Sequence, residues 1–266
     1  MLGFLIVLVA GGVSGYFSYD AWGPVWGVSC GVLTIVVTWL VLSLILRRAV
    51  MQKQMVIQQI MQEAQTKMNR QVEFFQRRQQ SSVNAAQKSI AAIQNDAAHK
   101  SLAAMDCFKP LYKWNPMLYK QINTMKVQLH YQLKEFKKVD ELLPATLIFD
   151  PQTMAMKLAR MYRNNDAKLD RFFVRNRRKF RGDDGAFVAC VYAWIKLKQD
   201  DAKSALDALL FARKLSDNQV LVNNIEQLTN GKNKHFSNSG FGDPWYVLFL
   251  EEPKMKQPKR FAGRGF

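Results

Sequence analysis

Charge is what the start of this chain lacks. Between Met1 and Leu46 the one acidic or basic side chain is Asp20, although the whole chain carries 38 Lys and Arg against 21 Asp and Glu, for a net charge of +17. Ionisable groups inside an apolar span ordinarily mark ion or substrate pathways, so their absence argues for an anchor and against a pump. Cysteine is scarce as well. Cys30, Cys107 and Cys190 are scattered and odd in number, which excludes a disulfide framework and suits a reducing compartment. The three histidines, His99, His130 and His235, stand apart from one another. With no metal-ligand spacing and no nucleophile beside a base, the sequence offers no catalytic constellation. The expectation is a protein without cofactor or metal that is not an enzyme. β-alternation is absent until "WYVLFL" at 245–250, so the fold class is all-α.

What the first 48 residues do contain is apolar length. "MLGFLIVLVAGGVSGYFSY" is interrupted by "YDAWGP" and followed by "VWGVSCGVLTIVVTWLVLSLIL". About 20 apolar residues suffice to cross a bilayer as a helix, and the chain supplies that length twice. Residues 1–48 therefore read as a transmembrane helical hairpin with spans near 2–18 and 25–46. A cleaved signal peptide fits badly, because a basic leading region is missing and the second run is full-length. Arg47, Arg48 and Lys53 follow the second span and the short loop has no basic residue. The positive-inside rule then places both termini and the soluble part in the cytosol. Gly11 and Gly15 are four apart, as are Gly23, Gly27 and Gly31, a spacing that lines small residues on one helix face and lets backbones approach.

Glycine and proline are missing from Ala49 to Lys109. The stretch 49–109 is rich in good helix formers and reads as one long amphipathic, coiled-coil-like connecting helix. "QQSSVNAAQ" at 79–87 is its weakest part and a candidate break. A narrow, alanine-rich stripe from Met68 to Ala97 needs a partner. A second copy, giving a homo-oligomer, and a fold-back onto the following domain are both open.

Pro110, Asn115 and Pro116 end that helix, and "NPMLYKQ" starts another with a capping Asn and a first-turn Pro. Helices are expected near 117–133, 137–148, 152–163, 166–180, 185–198, 201–215 and 219–229. Within them one set of intervals recurs. Ala193, Ala205, Ala212 and Asp217 are spaced as Val127, Val139, Thr146 and Pro151 are, and the two frames lie 66 residues, twice 33, apart. Self-similarity at this period is the mark of stacked helical repeats, with small residues where helices cross. "LKEFKKVDELLPATLIFDP" and "LKQDDAKSALDALLFARKLSDN" resemble the turn and second helix of the tetratricopeptide repeat family. Between them, "TMAMKLARMYRNNDAKLDRFFVRNRRKF" keeps the rhythm but loses the small residues, and Pro144 falls inside a presumed second helix. The resemblance covers about 111–230, and the plan as a whole resembles some bacterial membrane proteins. It implies a helical-repeat domain over 110–252, an α-solenoid in the inner membrane's cytosolic space, that serves as an adaptor or scaffold for a protein or peptide. Trp245, Tyr246, Leu248 and Phe249 are expected to cap the open end of the stack. The tail 253–266, with five basic residues and no acid, is expected to be disordered.

"KLDRFFVRNRRKFRG", 168–182, holds seven basic residues and one acid. Leu169, Phe173 and Phe180 share an inward face, and Arg171, Arg175 and Arg178 share another. A solvated face, attraction to an anionic lipid surface and non-specific attraction to nucleic acid all stay open, the last disfavoured for want of a recognition motif. The second function class is accordingly an electrostatic binder of anionic lipid or nucleic acid, working through 168–182 and the basic tail.

Overall fold

A computed structural model describes residues 2–77 and 83–252. Every regular element among them is helical. The expected tail, 253–266, lies outside the described residues. The chain divides into two compact units, Met1–Leu147 and Ile148–Phe266.

The first unit opens with two antiparallel helices, α1 (Leu2–Trp22) and α2 (Pro24–Arg77). Both contain a stretch long and apolar enough to cross a membrane. Their large side chains point outward: Phe4, Val25 and Val28 are about 70% exposed or more. A core helix of a water-soluble protein buries such groups. The turn between α1 and α2 is tighter than "YDAWGP" suggests. Gly23 alone leaves the helix, at φ 91°, and Pro24 restarts it. That φ favours glycine over any side chain, and proline suits the first helical position.

Four of the five expected glycines form the seam. A Cβ on Gly15 would lie 3.2 Å from the Gly27 carbonyl oxygen, and one on Gly31 3.2 Å from that of Gly11. Gly23 is outside the seam, at the turn. Thr34 adds a bond across it, its hydroxyl 2.9 Å from that of Ser14.

Beyond Leu46, α2 continues as polar helix to Arg77, and α3 (Val83–Met105) then runs back along it. The stretch 49–109 is therefore two antiparallel helices where a single rod was the leading expectation. Part of the proposed break, 79–82, lies outside the described residues. The two helices pair within the chain: Ile57 clusters with Met105, and the Ser101 hydroxyl meets Met61 Sδ at 3.7 Å. Ala64, Ala97 and Ala98 are buried, and their small size lets α2 and α3 lie close.

A 3-10 segment, Asp106–Leu111, carries Pro110 and buries Phe108, and leads to α4 (Pro116–Gln132). Asn115 caps α4 as expected, accepting from the N–H groups of Met117 and Leu118, which satisfies otherwise orphaned donors. α5 (Phe136–Leu142) packs on α4 but is short, since Leu143–Ala145 tighten into a 3-10 turn around Pro144. The expected helix 137–148 stops there because proline lacks the N–H that would continue it.

The second unit comprises α6 (Pro151–Arg163), α7 (Leu169–Asn176), α8 (Gly182–Lys198), α9 (Ala202–Arg213), α10 (Gln219–Thr229) and the short α11 (Asp243–Tyr246). Its centre is α8, where every residue from Ala186 to Lys196 is buried. α6 and α9 pack on α8, and α10 packs on α9. "DPQT" and "GDDG" lie at helix starts. Asp150 caps α6 by accepting from Thr153 N–H at 2.7 Å, and Asp183 and Asp184 sit in the first turn of α8, where acids oppose the helix dipole. "WYVLFL" is no strand. It closes the unit, with Trp245, Leu248 and Leu250 buried and the Trp194 and Trp245 rings 5.6 Å apart. One carboxylate, Glu251, accepts from both indole N–H groups, at 2.7 and 3.1 Å.

Candidate binding surfaces

The repeat frame rests on small residues where helices meet. Ala193 and Ala205 are fully buried and Ala212 nearly so, in one cluster with Cys190, Leu209 and Leu221. An alanine at such a crossing lets two backbones come within reach of each other's larger side chains. Burial also pushes the Cys190 thiol up to about 12, so this cysteine is an inert packing group. Asp217, which closes the frame, pairs with Arg213.

The upstream frame is only half alike. Val127 and Val139 are fully buried in the pair α4 and α5. Thr146 corresponds in spacing to Ala212, yet it follows the 3-10 turn, its hydroxyl donating to the Leu143 carbonyl at 2.8 Å. Pro151 is the first residue of α6. The frame thus straddles the division between the units, with Thr146 in one and Pro151 in the other.

Sequence reasoning missed the small residues of the middle stretch. Ala155 and Ala159 are fully buried on α6. The signal was there as Ala-x-x-x-Ala in "MAMKLARM", masked by the expectation that alanines recur on the second helix of each pair.

The basic stretch 168–182 is partitioned as its periodicity predicts. Leu169, Phe173 and Phe180 are buried, while Arg171, Arg175 and Arg178 are exposed. Helix α7 ends at Asn176, so Arg178 extends the patch from the following turn. Arg177 is spent on packing, its guanidinium 4.1 Å from the Phe211 ring centroid. The stretch's one acid, Asp170, is turned to another use. It accepts from Lys196 Nζ at 2.8 Å and from the Tyr192 hydroxyl at 2.9 Å. The Lys196 side chain is only 9% exposed, and Asp201 gives it a second carboxylate at 3.5 Å. Burial, and then the bond to Asp170, raise the Tyr192 hydroxyl above its ordinary range. The Tyr192 ring stacks on Phe173 at 3.8 Å. Beside α7, burial lowers the Lys157 ammonium from its ordinary value, with the Phe172 ring 5.0 Å away.

Among the described residues, no three His, Cys, Asp or Glu side chains come together as a metal site would require. His130 is taken up by Glu135, 2.6 Å away, and His99 and His235 are exposed. Compared with protein-family models, with curated proteins and with solved structures, the chain gives no match.

Proposed function

We propose that this chain is a membrane-anchored helical-repeat adaptor, held by α1 and the first half of α2 as two spans, with its helical array on the cytosolic side. One observation carries it: small residues buried at helix crossings in an array of short helices, on a chain that opens with two outward-facing apolar helices. Arrays of this kind make extended surfaces for a protein or peptide, and the recurring frame at Val127, Val139, Ala193, Ala205 and Ala212 supports a degenerate tetratricopeptide-like solenoid. Arg47, Arg48 and Lys53 just beyond the second apolar stretch support the cytosolic side of a bacterial inner membrane.

A second reading is favoured by a separate observation. Arg171, Arg175 and Arg178 are exposed and have no ion-pair partner among the described residues. Such a patch suits an anionic lipid surface, at about 1 kcal/mol per basic residue. Salt separates the two readings. The full chain, cross-linked in native membranes and recovered in detergent, should bring down a defined protein at both low and moderate salt if it is an adaptor. Recovery of acidic lipid or nucleic acid alone, lost steeply as salt rises, would replace the adaptor with the electrostatic reading. The topology has its own check. Cys107 is exposed and should resist an impermeant thiol reagent in intact cells but react after lysis. Labelling of unlysed cells would overturn the cytosolic placement.

A further inference from the structure

Within the first unit, an apolar groove of about 880 Å³ opens between the start of α1, the middle of α2 and the segment that leads into α4. That size is typical of a built ligand site. Along α2 its lining runs from Trp39 through Leu42 and Leu46 to Arg47. α1 contributes Phe4, Leu5 and Leu8 opposite. Trp114 closes the other side, near enough that a Cβ on Gly3 would lie 3.8 Å from its ring.

The lining is graded. Its deep part belongs to the two apolar stretches, and its outer part adds Asn115, Gln121 and the N-terminus of α4. Arg47 is the lining's one charged side chain, with no acid beside it. It is exposed and has no ion-pair partner among the described residues. The arginine favours an anion, and the wall below it favours hydrocarbon. One molecule of the bilayer has both properties in that order.

We infer that this groove holds a single anionic phospholipid of the leaflet on the Arg47 side, its phosphate at Arg47 and its acyl chains along Leu8, Trp39 and Leu42. The site rests on the reading of α1 and α2 as spans, and it differs from general attraction to a charged surface because Arg48 and Lys53 lie outside the lining.

The test uses the full chain purified in mild detergent and offered equal amounts of phosphatidylglycerol and phosphatidylcholine with identical acyl chains, the retained lipid being counted by mass. The native chain should retain about one phosphatidylglycerol, preferred several-fold, because the choline ammonium of phosphatidylcholine offsets the attraction between its phosphate and Arg47. Arg47→Gln should bring the two lipids to equal retention, with Arg48 and Lys53 still present. Leu42→Trp should fill the groove and lower retention of both. Equal retention by the native chain, or an undiminished preference in Arg47→Gln, overturns the site. Alkaline carbonate extraction separates this failure from that of the anchor. A chain released by carbonate removes the spans and the lipid site together, whereas one that stays in the membrane but shows no lipid preference removes the lipid site alone.

Discussion

Replacing Ala205 by phenylalanine tests the repeat frame at its tightest point. Ala205 is fully buried on α9, in the cluster that holds Ala193, Cys190 and Leu209, so a ring there has no space to enter. Overpacking a filled core costs about 1–3 kcal/mol, occasionally more. For a unit of this size that is a fall of roughly 4–12 °C in melting temperature. The cluster carries its own reporter. Cys190 is fully buried and the other two cysteines lie in the first unit. With Cys30 and Cys107 changed to serine, the temperature at which Cys190 becomes reactive reads the opening of this cluster and nothing else. Lys203→Phe is the control, because Lys203 lies on the same helix but is exposed. It puts the same ring on the same helix and changes packing hardly at all. If Ala205→Phe and Lys203→Phe give the same Cys190 midpoint as the native side chains, the small-residue crossing is misassigned and the repeat reading goes with it.

Three further outcomes are expected. Gly27→Leu should part α1 from α2, since even a Cβ at Gly27 would lie 2.7 Å from that of Tyr19. Cysteines at Ser14 and Thr34, whose hydroxyls meet in the native seam, should then fail to form the disulfide that they form with Gly27 in place. Changing Arg171, Arg175 and Arg178 together to Glu should leave the Cys190 midpoint within the small effect of surface changes, about 0.5 kcal/mol each, while the chain without 253–266, held in neutral nanodiscs, binds anionic vesicles more weakly. Unchanged vesicle binding would assign these arginines to solvent. The stability of the first unit should fall in acid. Glu135 is held below its ordinary 4.5, chiefly by its hydrogen bond with His130 and then by Lys138. Its contribution is therefore present above 4.5 and lost as pH falls through the lower, folded value. Thermal unfolding of Glu135→Gln should show a shallower acid slope, and a slope equal to the native one would remove Glu135 from the account.

The element boundaries were legible where local chemistry decides them. The Asn115 cap with Pro116 acts within a turn of the chain. The glycine seam was legible because four-residue spacing on an apolar helix has few other uses. Gly23 was misplaced because its neighbours Gly27 and Gly31 share that spacing, while its own role is a backbone φ that spacing does not encode. The reversal of α3 onto α2 was not legible, because an alanine stripe fits a second copy or the following domain as well as it fits a neighbouring helix. Thr146 illustrates the same limit. Its interval from Val139 matches that of Ala212 from Ala205, but Pro144 tightens the backbone first, and interval counting passes over such a change. The inward turn of Asp170 depends on Lys196, 26 residues away, a pairing that only the packing of α7 on its unit reveals.

That pairing explains why the basic stretch is as bare as it is. Asp170 could have neutralised Arg171 or Arg175 at the surface, but it faces Lys196, a largely buried charge on α8 whose other carboxylate, Asp201, lies farther away at 3.5 Å. The acid is consumed inward and the arginines stay uncompensated outward, so the exposed patch is a by-product of how α7 is fastened. The cost of unfastening it is limited by exposure. Removing one partner of a buried ion pair costs about 3–5 kcal/mol, but the Asp170 side chain is 56% exposed and Asp201 remains, so Asp170→Asn should cost nearer 1–2 kcal/mol. Lys196→Met added to Asp170→Asn removes the stranded charge and should recover part of that loss, since apolar replacements of buried ion pairs are often neutral or better. The Cys190 labelling midpoint reads both variants. A double variant no more stable than Asp170→Asn alone would mean that Lys196 was never dependent on Asp170, and that α7 is held by Leu169 and Phe173 packing only.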